Sequence, residues 1–288
     1  MNKKKKHMQP VRYNRGVDKM PLFVFQQASR KKFFLNREDV HLWPMNYGHI
    51  NHADVWRLSE LLSAAERSRA ERYRFADDQK HFIIRHGLLR ILLGNYLNVE
   101  PSELQIKYNE NGKPFSTANQ ENGTIQFNLS HSKEMIFYAF TCGRNIGVDI
   151  EFIQPMTSMD AVVEGFFSES EKAEYNRLPK DRRTEGFYNC WTRKEAFLKA
   201  IGEGLSRGLD TFDISLIPGE TAELKRVDWN VQKAGQWGVK SITSIPGYAA
   251  AIAVEGSDWT MVEVGGAVQE EGLTQIAKAH SGKTVFPA

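Results

Sequence analysis

Apolar and polar positions alternate along much of the chain, and each such stretch predicts a short strand with one buried face. The alternation marks residues 54–58, 104–108, 125–129, 147–151, 212–216, 229–232, 237–242, 248–254 and 259–264. Residues 135–140 are apolar almost throughout and read as a strand buried on both faces. Elsewhere the period lengthens to that of a helix. Ser59 or Ser63 is placed to cap a helix running toward Tyr73, with Glu66 three residues after Ser63. A longer helix is expected over 77–97 with Phe82, Leu89, Leu92, Leu93 and Tyr96 inward, closed by Pro101. Further helices are expected over 160–167, 169–175 and around 191–201, the last ended by Gly202 and Gly204.

Two parts of the chain echo each other. Ser63 and Glu66 correspond to Ser168 and Glu171 at a constant offset, which also carries Arg72 onto Arg177, Phe82 onto Phe187 and Leu93 onto Leu198. The helix holding Arg85 thus has a second copy holding Glu195 and Lys199, and a ligand between two facing lobes would be touched by both. The expected fold class is α+β, with two pseudo-equivalent lobes, each an antiparallel sheet packed by helices. The expected division is a basic N-terminal arm over 1–50, a first lobe over 51–146, a second lobe over 147–264 and a C-terminal tail over 265–288. Within the arm, which reads as a solvated tail, the apolar run 21–25 is the candidate for a short docking strand or helix.

Composition narrows the class. With 288 residues, 41% hydrophobic and 25% charged, the chain is an ordinary globular sequence. Its formal charge of +3 suits an anionic ligand or an acidic partner, but much of the excess sits in Lys3 to Lys6, so nucleic acid is not expected as a partner. Cys142 and Cys190 are too few and too separated for a disulfide framework or thiolate metal site and read as small core residues. No apolar run is long enough to span a membrane, and no apolar segment follows the basic start, so a cytoplasmic location is expected.

Candidate chemistry lies in residues 147–151 and 191–206. On a strand, Asp149 and Glu151 share one face, opposite Val148 and Ile150. On a helix, Glu195 and Lys199 are one turn apart and point the same way, while Lys194 points elsewhere and Trp191, Phe197, Leu198 and Ile201 seat the helix on a core. Taken singly, each pair is usually a solvated surface. Brought together, Asp149, Glu151 and Glu195 form an all-oxygen set suited to Mg2+, with Lys199 beside it for a phosphate oxygen. Ser130-His131-Ser132 at a strand end is placed to hydrogen-bond a ligand; a hydrolase reading fails because no Gly-x-Ser-x-Gly elbow surrounds either serine.

Gly147-Val-Asp-Ile-Glu151, followed by Trp191-Thr-Arg-Lys-Glu-Ala-Phe-Leu-Lys-Ala-Ile-Gly-Glu-Gly-Leu205, resembles the signature pair of the 4'-phosphopantetheinyl transferases of the two-lobed, surfactin-synthetase-activating type. The resemblance covers roughly residues 54–260. It implies Mg2+-dependent transfer, with Mn2+ as a substitute ion, of the phosphopantetheine arm of coenzyme A to a serine of an apo acyl, peptidyl or aryl carrier protein. It assigns the metal to Asp149, Glu151 and Glu195, catalysis to Glu195 and Lys199, and the phosphates of coenzyme A to Arg85, Lys113, Ser130, His131 and Lys199. Lys80 or His81 are alternatives to Arg85, and Glu171 is a secondary acid. Two fused lobes imply a monomer, and exposed apolar residues over 152–167 a carrier-facing surface. The competing reading is a silent module that binds carrier proteins or coenzyme A without transfer.

Overall fold

A side-chain oxygen three residues from a helix's first free N–H groups fixes where several helices of this protein begin. The computed structural model describes residues 33–120, 123–204, 208–229 and 231–264. In chain order come β1 (Asp39–Asn46), α1 (His52–Glu60), α2 (Ala64–Glu71) and α3 (Ala76–Leu97). They are followed by β2 (Lys107–Tyr108), β3 (Pro114–Phe115), β4 (Asn119–Gln120), β5 (Gly123–Ser132), β6 (Met135–Cys142) and β7 (Ile146–Phe152). The remainder comprises α4 (Met159–Phe166), α5 (Glu169–Arg177), α6 (Arg183–Ile201), β8 (Phe212–Ile214), β9 (Leu224–Val227), β10 (Trp237–Ile242), β11 (Tyr248–Glu255) and β12 (Thr260–Glu263).

The α+β class with antiparallel sheets expected from the pattern is the observed one. A five-stranded sheet has the order β12-β1-β6-β5-β4, and a three-stranded sheet the order β10-β11-β7. All pairings in both are antiparallel except β1 with β12. The sheets pack face to face, with Val40, Leu42, Phe137 and Ala139 of the first against Val148, Ile150, Ala250 and Ile252 of the second. On the outer face of the first sheet, α3 packs Leu88, Leu92 and Tyr96 against Phe127, Tyr138 and Phe140. On the outer face of the second, Ala196, Phe197 and Ala200 of α6 meet Ala249, Ala251 and Ala253. The result is four layers, helix on sheet on sheet on helix.

The internal duplication is visible at atomic level. Ser63 and Ser168 cap α2 and α5, and Glu66 and Glu171 complete a capping box in each. Each buried glutamate then reaches a cation of the long helix that follows: Arg90 Nε lies 2.7 Å from Glu66, and Lys194 Nζ 2.8 Å from Glu171. The two acids respond oppositely. Burial raises both, but the neighbouring His86 ring, the Ser63 backbone N–H and the Arg90 guanidinium bring Glu66 down to about 2, whereas burial prevails over Lys194 at Glu171 and leaves its pKa raised.

Several expectations are corrected. Residues 54–58 lie in helix α1, because Asn51 caps it by accepting from the Asp54 N–H at 3.0 Å. Residues 39–46, read within the arm, form β1, and Val40 and Leu42 are wholly buried there. Strand β12, read with the second lobe, adds to the first lobe's sheet beside β1. Residues 231–236 are a 3-10 helix rather than the continuation of a strand from Trp229. The short element over 21–25, most of the arm and the tail from 265 lie outside the described residues.

Candidate active site

Strand β5 runs beside the free edge of β7, and its alternate side chains Asn128, Ser130 and Ser132 reach across. Asn128 Oδ1 accepts from the Val148 N–H at 2.9 Å, and Ser132 Oγ accepts from the Phe152 N–H at 3.0 Å. Side chains thus satisfy an edge that would otherwise leave backbone donors unpaired. Between them Ser130 Oγ donates to Asp149 Oδ1 at 2.9 Å, and Ser132 Oγ donates to Glu151 Oε2 at 2.9 Å. The Ser-His-Ser segment forms the end of strand β5, as the sequence predicted.

Helix α6 lies against the other side of β7. Gly147 makes the approach possible, since a Cβ there would overlap the Ala196 carbonyl oxygen and the Ala200 amide nitrogen. The close seat brings Lys199 Nζ to 2.6 Å from Asp149 Oδ1 and 2.9 Å from Ser130 Oγ. Trp191, Glu195 and Lys199 are successive turns of one face and are half-buried, while Lys194 points away into the core.

These side chains line a cleft of about 570 Å³ shared by the two lobes. From the second lobe come Asp149, Glu151, Trp191, Glu195 and Lys199, and from the first Arg69, Tyr73, Phe82, Arg85, His86, Leu129, Ser130 and His131. One wall is acidic and the opposite wall cationic and aromatic. Burial, then the Asp149 charge, pushes the Glu195 pKa up, with Glu151 adding to it and Lys199 opposing. Glu151 is raised by burial and by Asp149, against the Ser132 hydrogen bond and Lys199. His131 is open to solvent at the rim, yet partial desolvation and the charges of Arg85, Lys199 and His81 hold it down to about 4. At neutral pH its ring is uncharged and surrounded by cations.

The acidic wall offers the oxygen donors that a divalent ion takes. Asp149 Oδ2 is buried without a hydrogen-bond partner, and its neighbours Glu151 and Glu195 are further carboxylates whose mutual repulsion a cation would relieve. Among the described residues no three His, Cys, Asp or Glu side chains are already drawn together at cation-binding separation. Lys199 and Ser130 occupy Asp149 Oδ1, and Ser132 occupies Glu151 Oε2.

Of the residues singled out in the sequence, the cleft unites Arg85, Ser130, His131, Asp149, Glu151, Glu195 and Lys199. Lys113 and Glu171 fall outside it, as do Lys80 and His81. Lys113, expected to reach phosphates, instead donates from Nζ to the carbonyls of Ile146 at 3.0 Å and Ala200 at 2.9 Å, and burial lowers its pKa to about 8. Glu171, the secondary acid, is 1% exposed and is committed to its capping box, Lys194 and the Ile214 N–H. Of the alternatives to Arg85, His81 packs edge-on against Tyr47, and neither it nor Lys80 lines the cleft. Trp191, assigned from the sequence to the core side, packs against the second-lobe core and stacks on Phe187, and it also lines the cleft beside Phe166. Arg69, Tyr73, Phe82 and His86 were not singled out as site residues. Phe82 is the centre of a small stack, with His86 4.0 Å away, Tyr73 5.5 Å away and the Arg69 guanidinium over its face. The i, i+4 spacing of Phe82 and His86 was legible, but reads equally as core.

Residues 145–253 match the family described as the 4'-phosphopantetheinyl transferase superfamily, and residues 51–142 match its companion, 4'-phosphopantetheinyl transferase, N-terminal. The chain is 33% identical to the 4'-phosphopantetheinyl transferase HetI of Nostoc over 77% of its own length and 90% of that protein's. It is 27% identical to 4'-phosphopantetheinyl transferase Sfp of Bacillus subtilis, covering 70% of this chain and 86% of the relative. A putative 4'-phosphopantetheinyl transferase of Synechocystis is 36% identical over 56% of this chain and 63% of its own.

Proposed function

The chain belongs to the 4'-phosphopantetheinyl transferase superfamily and is a transferase, and on that footing we propose that it moves the 4'-phosphopantetheine arm of coenzyme A onto a serine of an apo acyl, peptidyl or aryl carrier protein. The serine oxygen forms a bond to the phosphorus bearing the pantetheine, the pyrophosphate bridge breaks, and adenosine 3',5'-bisphosphate leaves with the bridging oxygen. The serine proton passes to a base. The observation that carries this reading is the single cleft in which Asp149, Glu195 and Lys199 of one lobe face Arg85 and His131 of the other.

Phosphoryl transfer needs positioning and charge neutralisation more than covalent chemistry. Arg85, Ser130 and His131 hold the phosphates on the first-lobe wall. Lys199, fixed by Asp149 and Ser130, presents its ammonium to the transferring phosphoryl oxygens. Glu195 takes the proton of the carrier serine, and the burial that raises its pKa makes it a stronger base than a solvated carboxylate. Asp149, Glu151 and Glu195 would hold Mg2+, which when bound draws charge from the pyrophosphate and its leaving oxygen. Phe166, 48% exposed beside Trp191 at the cleft, supplies apolar surface for a carrier protein.

The test is direct. The protein is incubated with coenzyme A, Mg2+ and an apo carrier protein, and the carrier is weighed by mass spectrometry. The expected result is a carrier heavier by one phosphopantetheine group. An unchanged mass across acyl, peptidyl and aryl carriers would overturn the reading in favour of a binding module.

A further inference from the structure

The turn joining β2 to β3 belongs to the first lobe, yet every long side chain that the structure pairs from it ends on the second. Asn109 Oδ1 accepts from the N–H groups of Asn111 at 3.0 Å and Lys113 at 2.8 Å, and the Gly112 N–H donates to Asn109 O at 3.0 Å. Gly112 supplies the positive φ of 79° that this turn needs. So organised, the turn presents three donors at the end of α6. Asn109 Nδ2 and Asn111 Nδ2 both donate to Gly202 O, at 3.2 and 2.9 Å, and Lys113 Nζ donates to Ala200 O.

The last carbonyls of a helix have no partner within it, and a cation there also complements the helix dipole. Helix α6 receives that cap from a different lobe. The same ammonium also holds Ile146 O, the first residue of β7. Lys113 thereby ties the strand that carries Asp149 and Glu151 to the helix that carries Glu195 and Lys199, one residue beyond Lys199 and three before Asp149. Its contacts are entirely main-chain, so what it fixes is backbone separation. We propose that Lys113, with Asn109 and Asn111, is a positioning device for the transfer reaction: an interlobe cap that sets the spacing of α6 and β7, and not a phosphate ligand. This inference takes the proposed function as its starting point.

The test compares Lys113→Met, which keeps the stem and removes the ammonium, with Asn111→Ala, which removes one donor to Gly202 from an exposed side chain that does not line the cleft. Carrier loading is measured against coenzyme A concentration at a temperature where both variants are folded. The cap predicts a fall in kcat of about tenfold or more for Lys113→Met, since small displacements of reacting groups are costly, with KM for coenzyme A within about twofold. It predicts a smaller fall in kcat, about two- to threefold, for Asn111→Ala. Hydrogen exchange at the amides of residues 198–202 should quicken in both variants without any ligand present. A raised KM for coenzyme A with kcat intact would make Lys113 a phosphate ligand and overturn the inference, as would unchanged exchange at the end of α6. Because exchange needs no substrate, the cap is tested even if no carrier is loaded, an outcome that would defeat only the proposed function.

Discussion

Lys199 Nζ stands 2.6 Å from Asp149 Oδ1, with the lysine 29% exposed and the aspartate nearly buried. Together with Ser130, the pair joins α6, β7 and β5 at one point. Lys199→Met should lower transfer by roughly 100-fold or more, the usual cost of losing one preorganised donor at a developing charge. The lysine is partly solvated but Asp149 would be left buried with one fewer donor, so the stability cost should be about 1 to 3 kcal/mol. Urea unfolding and carrier loading on the same preparation check both.

Glu195→Gln removes the proposed proton acceptor without changing shape. Transfer should fall by roughly 10² to 10⁴, the range a general base supplies, while coenzyme A binding by calorimetry persists. Asp149→Ala should abolish transfer in a protein that remains folded. Chelation of divalent ions should stop the reaction and Mg2+ should restore it. Near-normal turnover in either variant, or in chelator, would contradict the acidic wall's assigned role.

Glu171 and Lys194 form a pair buried to 1% and 0% exposure, away from the cleft. Removing one partner leaves the other charge buried, so Glu171→Gln or Lys194→Met should each cost on the order of 3 to 5 kcal/mol in chemical denaturation. The double variant should cost less than the two singles together. Activity per folded molecule should survive in whichever variant folds, which separates this acid from Glu195.

Gly147→Ala tests the contact between strand and helix. The atoms its Cβ would meet are backbone, so α6 must move rather than a side chain rotate. Destabilisation of about 1 to 3 kcal/mol is expected, as for other overpacked sites. Transfer should fall further than stability alone accounts for, since the same movement separates Lys199 from Asp149. Wild-type kcat in a folded Gly147→Ala protein would refute that link.

Acid should weaken the first lobe through His41. Its Nδ1 lies 2.7 Å from the Tyr96 hydroxyl, which also accepts from Trp43 Nε1 at 2.9 Å. Burial holds the folded pKa down to about 4 from 6.5, against a smaller opposing effect of Asp39. Between those values the unfolded chain binds the proton and the folded one does not, so stability falls as pH drops from about 6.5 toward 4. The shift corresponds to roughly 3 kcal/mol. Urea titrations at pH 7 and pH 4.5 should show the loss, and His41→Gln should reduce it.

The capping boxes at Ser63 and Ser168, the β5–β6 hairpin strands, the two long helices and the α+β class follow from local pattern, because caps, turns and amphipathic periods are short-range chemistry. The sequence also placed Asp149 with Glu151, and Glu195 with Lys199, through periods of two and four. Where local pattern is ambiguous, tertiary structure ruled. Residues 54–58 alternate like a strand but become helix α1, since Asn51 supplies a cap and Gly87 of α3 admits Leu58 at close range. Trp191 packs against the second-lobe core as its position in a helical wheel suggests, and it is also cleft wall, because its face continues into Glu195 and Lys199.

Which chemistry-bearing side chains exist, and on which faces of their own elements, was determined by the order of residues alone. Their meeting was decided by packing: Gly147 and the alanines of β11 let α6 settle on its sheet, and β5 closed the free edge of β7 with Asn128, Ser130 and Ser132. Lys113 shows the division most clearly. As a letter in a polar turn it reads as a free cation, yet two carbonyls distant in sequence claim it, and no local pattern encodes a contact whose partners are brought near only by folding.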